Sequence, residues 1–562
     1  MRHIVSVVLS HLEFLFPGAG GLTVHGANLA TSSTLRRFVL DERLEALEVF
    51  LPPGAMLDPD RLQQAAHSVL PVERRGKGAL RFHPYHALPD IWSDGHPRTL
   101  FTLDPEWMAR DRYLRDRFAS GPMPLTCDTH ALGPHRIWPP LARLAQAPPV
   151  GYDSIVCISE AFRGAITKAF DGYLSAPGSL PPARTDVLPR GVDNEFFAQT
   201  NPQRRLEARK LLGLPESGQI TLFLGRVTPY DKADLLPLLT AFSRASQSQS
   251  DYLLIAGEEN APGYYRRLQE VGNELGLRDR LLLQPEMPGS MRPLYYAAAD
   301  IFVFPGDSIQ ESFGNTVIEA MSCGLPVVAS DWDGFRDLVV DGETGYLIPT
   351  WWMPGTGRVD ALSPVNPLLT EHMFLSQSVW VDSERLTLAL RELLESPQRR
   401  EQLGEAGRTR VMQNYAWPVV LDRWQALWAE LLEIATREST AERESRRRHC
   451  LSLGLPAPYA RLFNHYATAV ISPESNQIRL SDAGQEVVDN KRALQFYDET
   501  LTLIHQLVMD ALFAQLAHRR SEWISIGEIT QQAAQSTGFG DEDVRMHLAL
   551  LLKRGMLDMR EV

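Results

Sequence analysis

Two glutamates eight positions apart, Glu311 and Glu319, enclose a Ser-Phe-Gly turn within QESFGNTVIEAMSCGLPVVASDWDGFRDLVVDGETGYLIPT, residues 310–350. Ser312, Phe313 and Gly314 follow the first glutamate, and a helix is predicted from about Asn315 to Ser322, with Thr316 in its first turn. The first turn of a helix has unsatisfied N–H groups and a partial positive charge, which suits a phosphate or sugar oxygens. Gly314 lets backbone approach a ligand closely. Glu311 stands before that turn and Glu319 about two turns below it. Two carboxylates at this spacing can grip hydroxyls at two separate points of one extended ligand. Gly324 ends the helix, and LPVVASD makes the next strand.

This segment resembles the donor-site signature of retaining glycosyltransferases of the GT-B architecture, family 4. In that family E-x7-E runs into EAMA-x-G-x-P-V-V-A-S, and here the continuation reads EAMSCGLPVVASD, followed by a matching DGETGYLIP. Upstream, FLGRVTPYDKADLLPLLTAF is similar to the family's F-x-G-R-x4-K-G-x3-L-x2-A-F, with Ala233 where Gly is usual. Gly225 and Arg226 close a strand there, and Lys232 follows in the loop. An arginine fork and a lysine point charge can hold a diphosphate and offset the charge developing on a departing nucleotide. YLLIAGEEN resembles the family's L-x-I-x-G-x-G, keeping Gly257 and placing Glu259 at the second glycine. VLPRGVDNEFF resembles the V-I-P-N-G-V-D-x3-F that closes the family's first domain, with Arg190 replacing Asn. The resemblance spans roughly residues 1–434, more strongly in its second half.

The resemblance implies a nucleotide-sugar donor (a UDP-, GDP- or ADP-sugar), no further cofactor, and no metal in the active site. Glu319 would hold the ribose, Glu311 the sugar hydroxyls, and Arg226 with Lys232 the diphosphate. Gly225, Gly257, Ser312, Phe313, Gly314, Asn315 and Thr316 would line the donor seat. The family retains anomeric configuration by front-face attack, unlike glycosidases with their two opposed carboxylates. Gly20 and Gly21, in the Gly-Ala-Gly-Gly run after the first strand, fall where the family has a glycine loop beside the donor phosphate. His130, in TCDTHALG, aligns with the family's active-site histidine, which contacts the transferred sugar, and Asp128 would line the same cleft on the acceptor side. The Trp351-Trp352 pair opens a stretch where the family has a short connection. Aromatic rings stack on sugars and exclude water, so this insertion is expected to be a lid or an acceptor-recognition element. Asp331-Trp332-Asp333 has the D-x-D pattern of a metal site but follows the wrong strand, and it reads as a turn with capping aspartates.

Positioning these residues requires α/β units. In the first two hundred residues HIVSVVLS, ALEVFLPP, ALRFHPYH, MPLTCDTHA and SIVCIS read as strands, AGGLTVHGANLATSSTLRRF as a glycine turn and then a helix, and EAFRGAITKAF as a helix. A second series follows: ITLFLGRV, DYLLIAGEE, RLLLQPE, DIFVFPG and LPVVASD, apolar on both faces, alternate with helices such as ADLLPLLTAFSRAS and YYRRLQEVGNELG. Such runs fit doubly wound sheets covered on both sides. The expected fold is therefore α/β: two Rossmann-like domains facing a cleft, residues 1–205 for the acceptor and 206–435 for the nucleotide sugar. Residues 350–381 form an irregular insertion without a period, after which DSERLTLALRELLESP resumes as a helix with Ser383 as N-cap. The charged run at 436–450 reads as a solvated helix end or linker. Residues 451–562 read as a winged-helix-like unit: one long helix over QFYDETLTLIHQLVMDALFAQLAHR, a helix–turn–helix, and a terminal strand MLDMREV.

Composition excludes several classes. With 56 Lys+Arg against 69 Asp+Glu the net charge is −13, which disfavours a whole-chain nucleic-acid binder. After Cys450 there are 10 basic and 14 acidic residues, and the second helix of the helix–turn–helix opens on three acids, so a protein partner or a homodimer is favoured there over DNA. Four scattered cysteines form neither a disulfide framework nor a zinc spacing and read as buried small hydrophobes. The apolar N-terminal run is too short for a secretory segment and reads as a buried strand, and no transmembrane segment stands out. A cytoplasmic protein is expected, with a peripheral seat at the inner membrane face left open. The competing readings are an idle GT-B scaffold that binds a nucleotide, or a partner through its C-terminal unit, and a GT-B relative such as an epimerase or phosphorylase. The acceptor (glycan, lipid, metabolite or protein) and the sugar are not specified by the sequence.

Overall fold

The computed structural model describes residues 3–15, 26–52, 59–70, 78–133, 137–171, 180–353, 355–450, 464–501 and 503–561. Runs of Val, Ile, Leu and Phe form two parallel sheets, and most of their residues are buried on both faces, as a sheet covered by helices on each side requires. The first sheet has seven strands: β1 (His3–Val8), β2 (Leu44–Leu51), β3 (Leu80–Pro84), β4 (Arg98–Thr102), β5 (Leu125–Asp128), β6 (Ser154–Cys157) and β7 (Arg184–Val187), in the order β3-β2-β1-β4-β5-β6-β7. The second has six: β8 (Gln219–Leu224), β9 (Asp251–Ala256), β10 (Leu281–Gln284), β11 (Ile301–Phe304), β12 (Val327–Ser330) and β13 (Gly345–Ile348), in the order β10-β9-β8-β11-β12-β13. Every pairing in both sheets is parallel. Each sheet reverses its strand order beside its first strand, at β1/β4 and at β8/β11, and such switch points open a crevice at the C-terminal strand ends.

The expected doubly wound pair is therefore present, with additions. Strand β4, RTLFT, lies between prolines and carries two buried threonines, so it shows no apolar run. The insertion is ordered: β14 (Thr350–Trp352) pairs antiparallel with β15 (Val379–Val381), and helices Gly357–Leu362 and Leu368–Ser376 lie between them. The cap of the next helix is Asp382, which accepts from the Glu384 and Arg385 amides, one residue before the expected Ser383.

The chain then returns to the first sheet. Helix Trp417–Thr436, inside the span expected for the second domain, packs its tryptophans on helix Gly26–Leu40 and the first sheet. The Trp428 ring meets Phe38 edge-on at 4.8 Å, and its Nε1 donates to Thr126 Oγ1 at 3.2 Å. The two crossings between the sheets run side by side, where Val192 bridges Ala416 and the Val192 amide donates to the Tyr415 carbonyl at 2.9 Å.

The charged run is a helix, Thr440–His449, and it is docked rather than solvated. Ser439 and Glu442 form a capping box at its start. Arg446 pairs with the buried Asp116, and Arg443 donates to the Ser120 carbonyl at 2.5 Å. Beyond it, β16 (Asn476–Leu480), β17 (Ile524–Ser525) and β18 (Leu557–Glu561) form a small antiparallel sheet in the order β17-β16-β18, covered by helices Gln506–His518, Ile526–Thr537 and Asp541–Lys553. The long helix expected at 495–519 is broken: a short turn of helix, Asp498–Leu501, precedes Gln506–His518. All four cysteines are free and buried, and among the described residues no helix is long and apolar enough to cross a membrane.

Candidate active site

The chemistry-bearing residues of the second half gather at the β8/β11 switch point. Strand β8 leads into Gly225, beside Gly257, the residue after β9. At Gly257, φ is +150°, and a Cβ there would fall 1.7 Å from the Gly225 carbonyl oxygen, so two glycine backbones touch and leave the strand ends bare. In the loop that follows, Arg226 pairs with Asp231 at 2.8 Å, and Lys232 Nζ donates to Glu311 Oε2 at 2.8 Å. Loop and glutamate thus form one cluster, and Glu311 is nearly buried in it.

The turn after Glu311 is shaped by packing. The Phe313 ring is buried, 6.3 Å from that of Tyr415. Gly314 has φ +106°, and a Cβ on it would lie 2.7 Å from carbons of the Phe335 ring. Helix Asn315–Ser322 starts there, with no side chain capping it, with Asn315 exposed and Thr316 half-buried. Its first amides therefore face the crevice without a protein side chain at the cap. One turn on, Glu319 is buried under Arg292 and Tyr296. Arg292 pairs with its Oε2, and Tyr296 donates to the same oxygen at 2.7 Å. Burial holds the Glu319 carboxyl above its ordinary range, against the opposing pull of the Arg292 charge and the Tyr296 hydroxyl. Among the described residues no hydrogen bond reaches its Oε1.

The first sheet meets this turn directly, because Ser312 Oγ donates to the carbonyl of His130, beyond the end of β5. The His130 side chain is 9% exposed. Thr31 Oγ1, on helix Gly26–Leu40, lies 2.8 Å from its Nε2, and Arg190 Nη2 donates to its Nδ1 at 2.5 Å. Arg190 also donates to the Thr129 carbonyl at 3.0 Å and lies 3.5 Å from Asp128 Oδ2. Burial, then the Arg190 charge, holds the imidazole well below its ordinary range, while burial pushes Asp128 up against the opposing pull of Arg190. A small cavity lined by Asp128, Arg190, Trp417 and Trp424 lies behind this cluster. The glycine loop with Gly20 and Gly21 lies outside the described residues.

The Asp331–Asp333 turn does more than cap. Asp333 is a non-glycine residue at φ +40°, half-buried at the junction of the two halves, and Ser159 Oγ donates to its Oδ1 at 3.2 Å. Burial, with the neighbouring Glu311 charge, raises its carboxyl to about 7. Asp337 accepts from the Glu160 amide at 2.7 Å, at the N-terminus of helix Glu160–Ala169. Reading the sequence missed this pair and Ser159, since no local signal joins segments 174 residues apart. Arg190 did carry a signal: it stands where the resembled motif has Asn.

The insertion walls the crevice. A Cβ on Gly133, three residues past His130, would fall 2.5 Å from both His372 Nε2 and Gln310 Oε1. Ser376 Oγ donates to the Pro229 carbonyl at 3.3 Å, in the loop that carries Lys232. The tryptophans themselves face outward. Trp351 is 59% exposed and stacks on Trp380 at 6.3 Å, while Trp352 stacks on Trp332 at 5.7 Å.

Residues 204–351 match the family model described as glycosyl transferases group 1. The D-inositol 3-phosphate glycosyltransferase of Segniliparus rotundus is 28% identical over 384 residues, covering 62% of this chain and 79% of that one. The enzyme of the same name from Thermomonospora curvata is 32% identical over 263 residues, 45% of this chain and 52% of its own. Among solved structures, a glycosyltransferase from Rickettsia africae superimposes with a TM-score of 0.51 at 14% identity over 77% of this chain and 99% of its own. Anabaena HepE, crystallised with UDP, gives 0.50 at 16% identity over 76% of this chain and 100% of its own. At these identities the structural likeness speaks to fold alone, and the fold is GT-B.

Proposed function

Because this chain carries a glycosyl transferases group 1 domain on a GT-B fold, we propose that it moves a sugar from a nucleoside-diphosphate sugar to an acceptor with retention of configuration. The single observation that carries this reading is the contact of Lys232 Nζ with Glu311 Oε2. It puts a phosphate-binding cation and a hydroxyl-binding carboxylate in one seat, at the switch point where such folds take ligands. In this reading Lys232 and Arg226 bind the diphosphate and offset the charge left on it when the glycosidic bond breaks. Glu311 orients the sugar hydroxyls, and the bare amides near Gly314 and Asn315 help to fix the sugar. Glu319 takes the ribose through Oε1, its other oxygen being held by Arg292 and Tyr296. His130 offers a ring N–H to a sugar hydroxyl from the first sheet. The acceptor would enter between Asp128 and the insertion that begins at Trp351 and Trp352. A departing diphosphate on the same face as the acceptor can itself receive the acceptor's proton, so no further base is required.

The test is release of nucleoside diphosphate from UDP-, GDP- and ADP-sugars in the presence of an acceptor panel that includes inositol 3-phosphate, the acceptor named for the Segniliparus relative. Turnover with one donor, reduced on the order of 10²-fold or more in Lys232→Ala and in Glu311→Ala, is the expected outcome. Binding without turnover across the panel would favour an idle nucleotide-binding scaffold instead.

A further inference from the structure

Arg190 has no counterpart in the motif it occupies. The resembled pattern carries Asn, whose amide can donate or accept and bears no charge. Here a guanidinium is buried at the end of the first sheet. One of its nitrogens, Nη2, serves three acceptors: His130 Nδ1 at 2.5 Å, the Thr129 carbonyl at 3.0 Å and Asp128 Oδ2 at 3.5 Å. A guanidinium has five N–H groups and no lone pair to offer. Its bond to Nδ1 therefore leaves that ring nitrogen no choice but to accept. The proton of a neutral ring must then sit on Nε2, which faces Thr31 Oγ1 at 2.8 Å and Asp128 Oδ2 at 3.9 Å.

We propose that Arg190 is a positioning residue that fixes His130 as the Nε2–H tautomer and ties its ring between β7's trailing loop and helix Gly26–Leu40. The proposal rests on the reading of His130 as a sugar contact, and it specifies what that contact is. The ring's one N–H points at Thr31 Oγ1, so a sugar hydroxyl that takes this donor shares it with Thr31 or displaces that hydroxyl, and His130 serves as a donor of fixed direction rather than as an acid or base. Protonating Nδ1 would set two donors against each other and bring a second positive charge beside the guanidinium in a buried site. The groups that face the ring bear this out. Arg190 and Asp128 are its charged or titratable neighbours in the first half, with the Thr31 hydroxyl and the Leu103 carbonyl beside them. From the second half, Ser312 reaches the backbone carbonyl of His130 rather than its ring.

The test reads the ring directly. In ¹⁵N/¹³C spectra of the full-length protein with labelled histidine, the His130 resonance is identified by its loss in His130→Gln. The expected result is the Nε2–H pattern, unchanged from pH 5.5 to 8. In Arg190→Asn the ring should become titratable, with its midpoint moved toward the ordinary value near 6.5, and the pH profile of kcat should gain an acid limb there. Arg190→Lys keeps a cationic donor and should restore the wild-type tautomer at least in part, which separates positioning from a simple loss of packing. An Nδ1–H or imidazolium ring in the wild-type protein overturns the proposal even if every Arg190 variant fails to fold, and so does an unchanged ring in Arg190→Asn. Full turnover in His130→Ala would overturn the sugar-contact reading together with this role. Lost turnover in that variant, combined with the wrong wild-type tautomer, would overturn the role of Arg190 alone.

Discussion

Gly314 shows how one residue carries the donor turn. Its φ of +106° is open to glycine and strained for other residues, and a Cβ would meet the Phe335 ring at 2.7 Å. Gly314→Ala must therefore shift either the turn or Phe335, at a cost of about 1–3 kcal/mol. The expected outcome is a folded protein with a lowered denaturation midpoint and a larger proportional loss of turnover, because the amides that begin helix Asn315–Ser322 move with the turn. A variant with wild-type turnover would show that those amides do not bind the sugar. Glu311, Gly314 and Lys232 were legible in the sequence because each sits in a run whose neighbours repeat a known pattern. Arg190 was visible as a departure from a pattern but without its partner, since its contact with His130 joins residues 60 apart. Asp333 was legible only as a capping aspartate of a turn. Its strained backbone and its bond to Ser159 exist only once both sheets have formed.

Two helix contacts respond to pH in opposite directions. Glu438 stands just before the docked helix Thr440–His449. Burial alone would raise its carboxyl, yet hydrogen bonds from Arg446 and Tyr152, with help from Arg443, bring it down to about 2. A carboxyl lowered in the folded state contributes stability that is present above its unfolded value, near 4.5, and lost as pH falls toward 2. Asp333, at the N-terminus of helix Glu160–Ala169, is raised from 3.8 to about 7. Its contribution is full below 3.8 and is lost as pH climbs toward 7, where a charged carboxylate must sit beside Glu311. Melting temperatures measured from pH 4 to 8 should therefore fall more in the wild-type protein than in Asp333→Asn, whose amide still accepts from Ser159 and tolerates the positive φ. Parallel curves would refute the shift. At this scale the buried strands were legible as apolar runs. The insertion was not, because helices Gly357–Leu362 and Leu368–Ser376 bury too few residues between them to show a period. The cap at Asp382 was displaced by one position because Asp and Ser, adjacent there, both make good caps.

At the scale of the molecule, helix Trp417–Thr436 joins what the sequence divides. Its apolar face was plain, but which sheet would receive that face was not, since periodicity names a buried side and not its partner. Trp428 is fully buried among Phe38, Trp424 and His3. Its replacement by Ala should cost about 3–5 kcal/mol, read in denaturant unfolding as a lower midpoint for the first sheet even though the altered residue follows the entire second one. An unaltered midpoint would mean that the helix is not part of that core. The side-by-side crossings at Val192 and Ala416 have a mechanical consequence. A single tether would let the two halves swivel freely, whereas two tethers fastened together behave like a door on its pin. A ligand taken between the halves would then meet the same alignment of walls, with Ser159 and Asp333 brought back to the same contact, each time the door shuts.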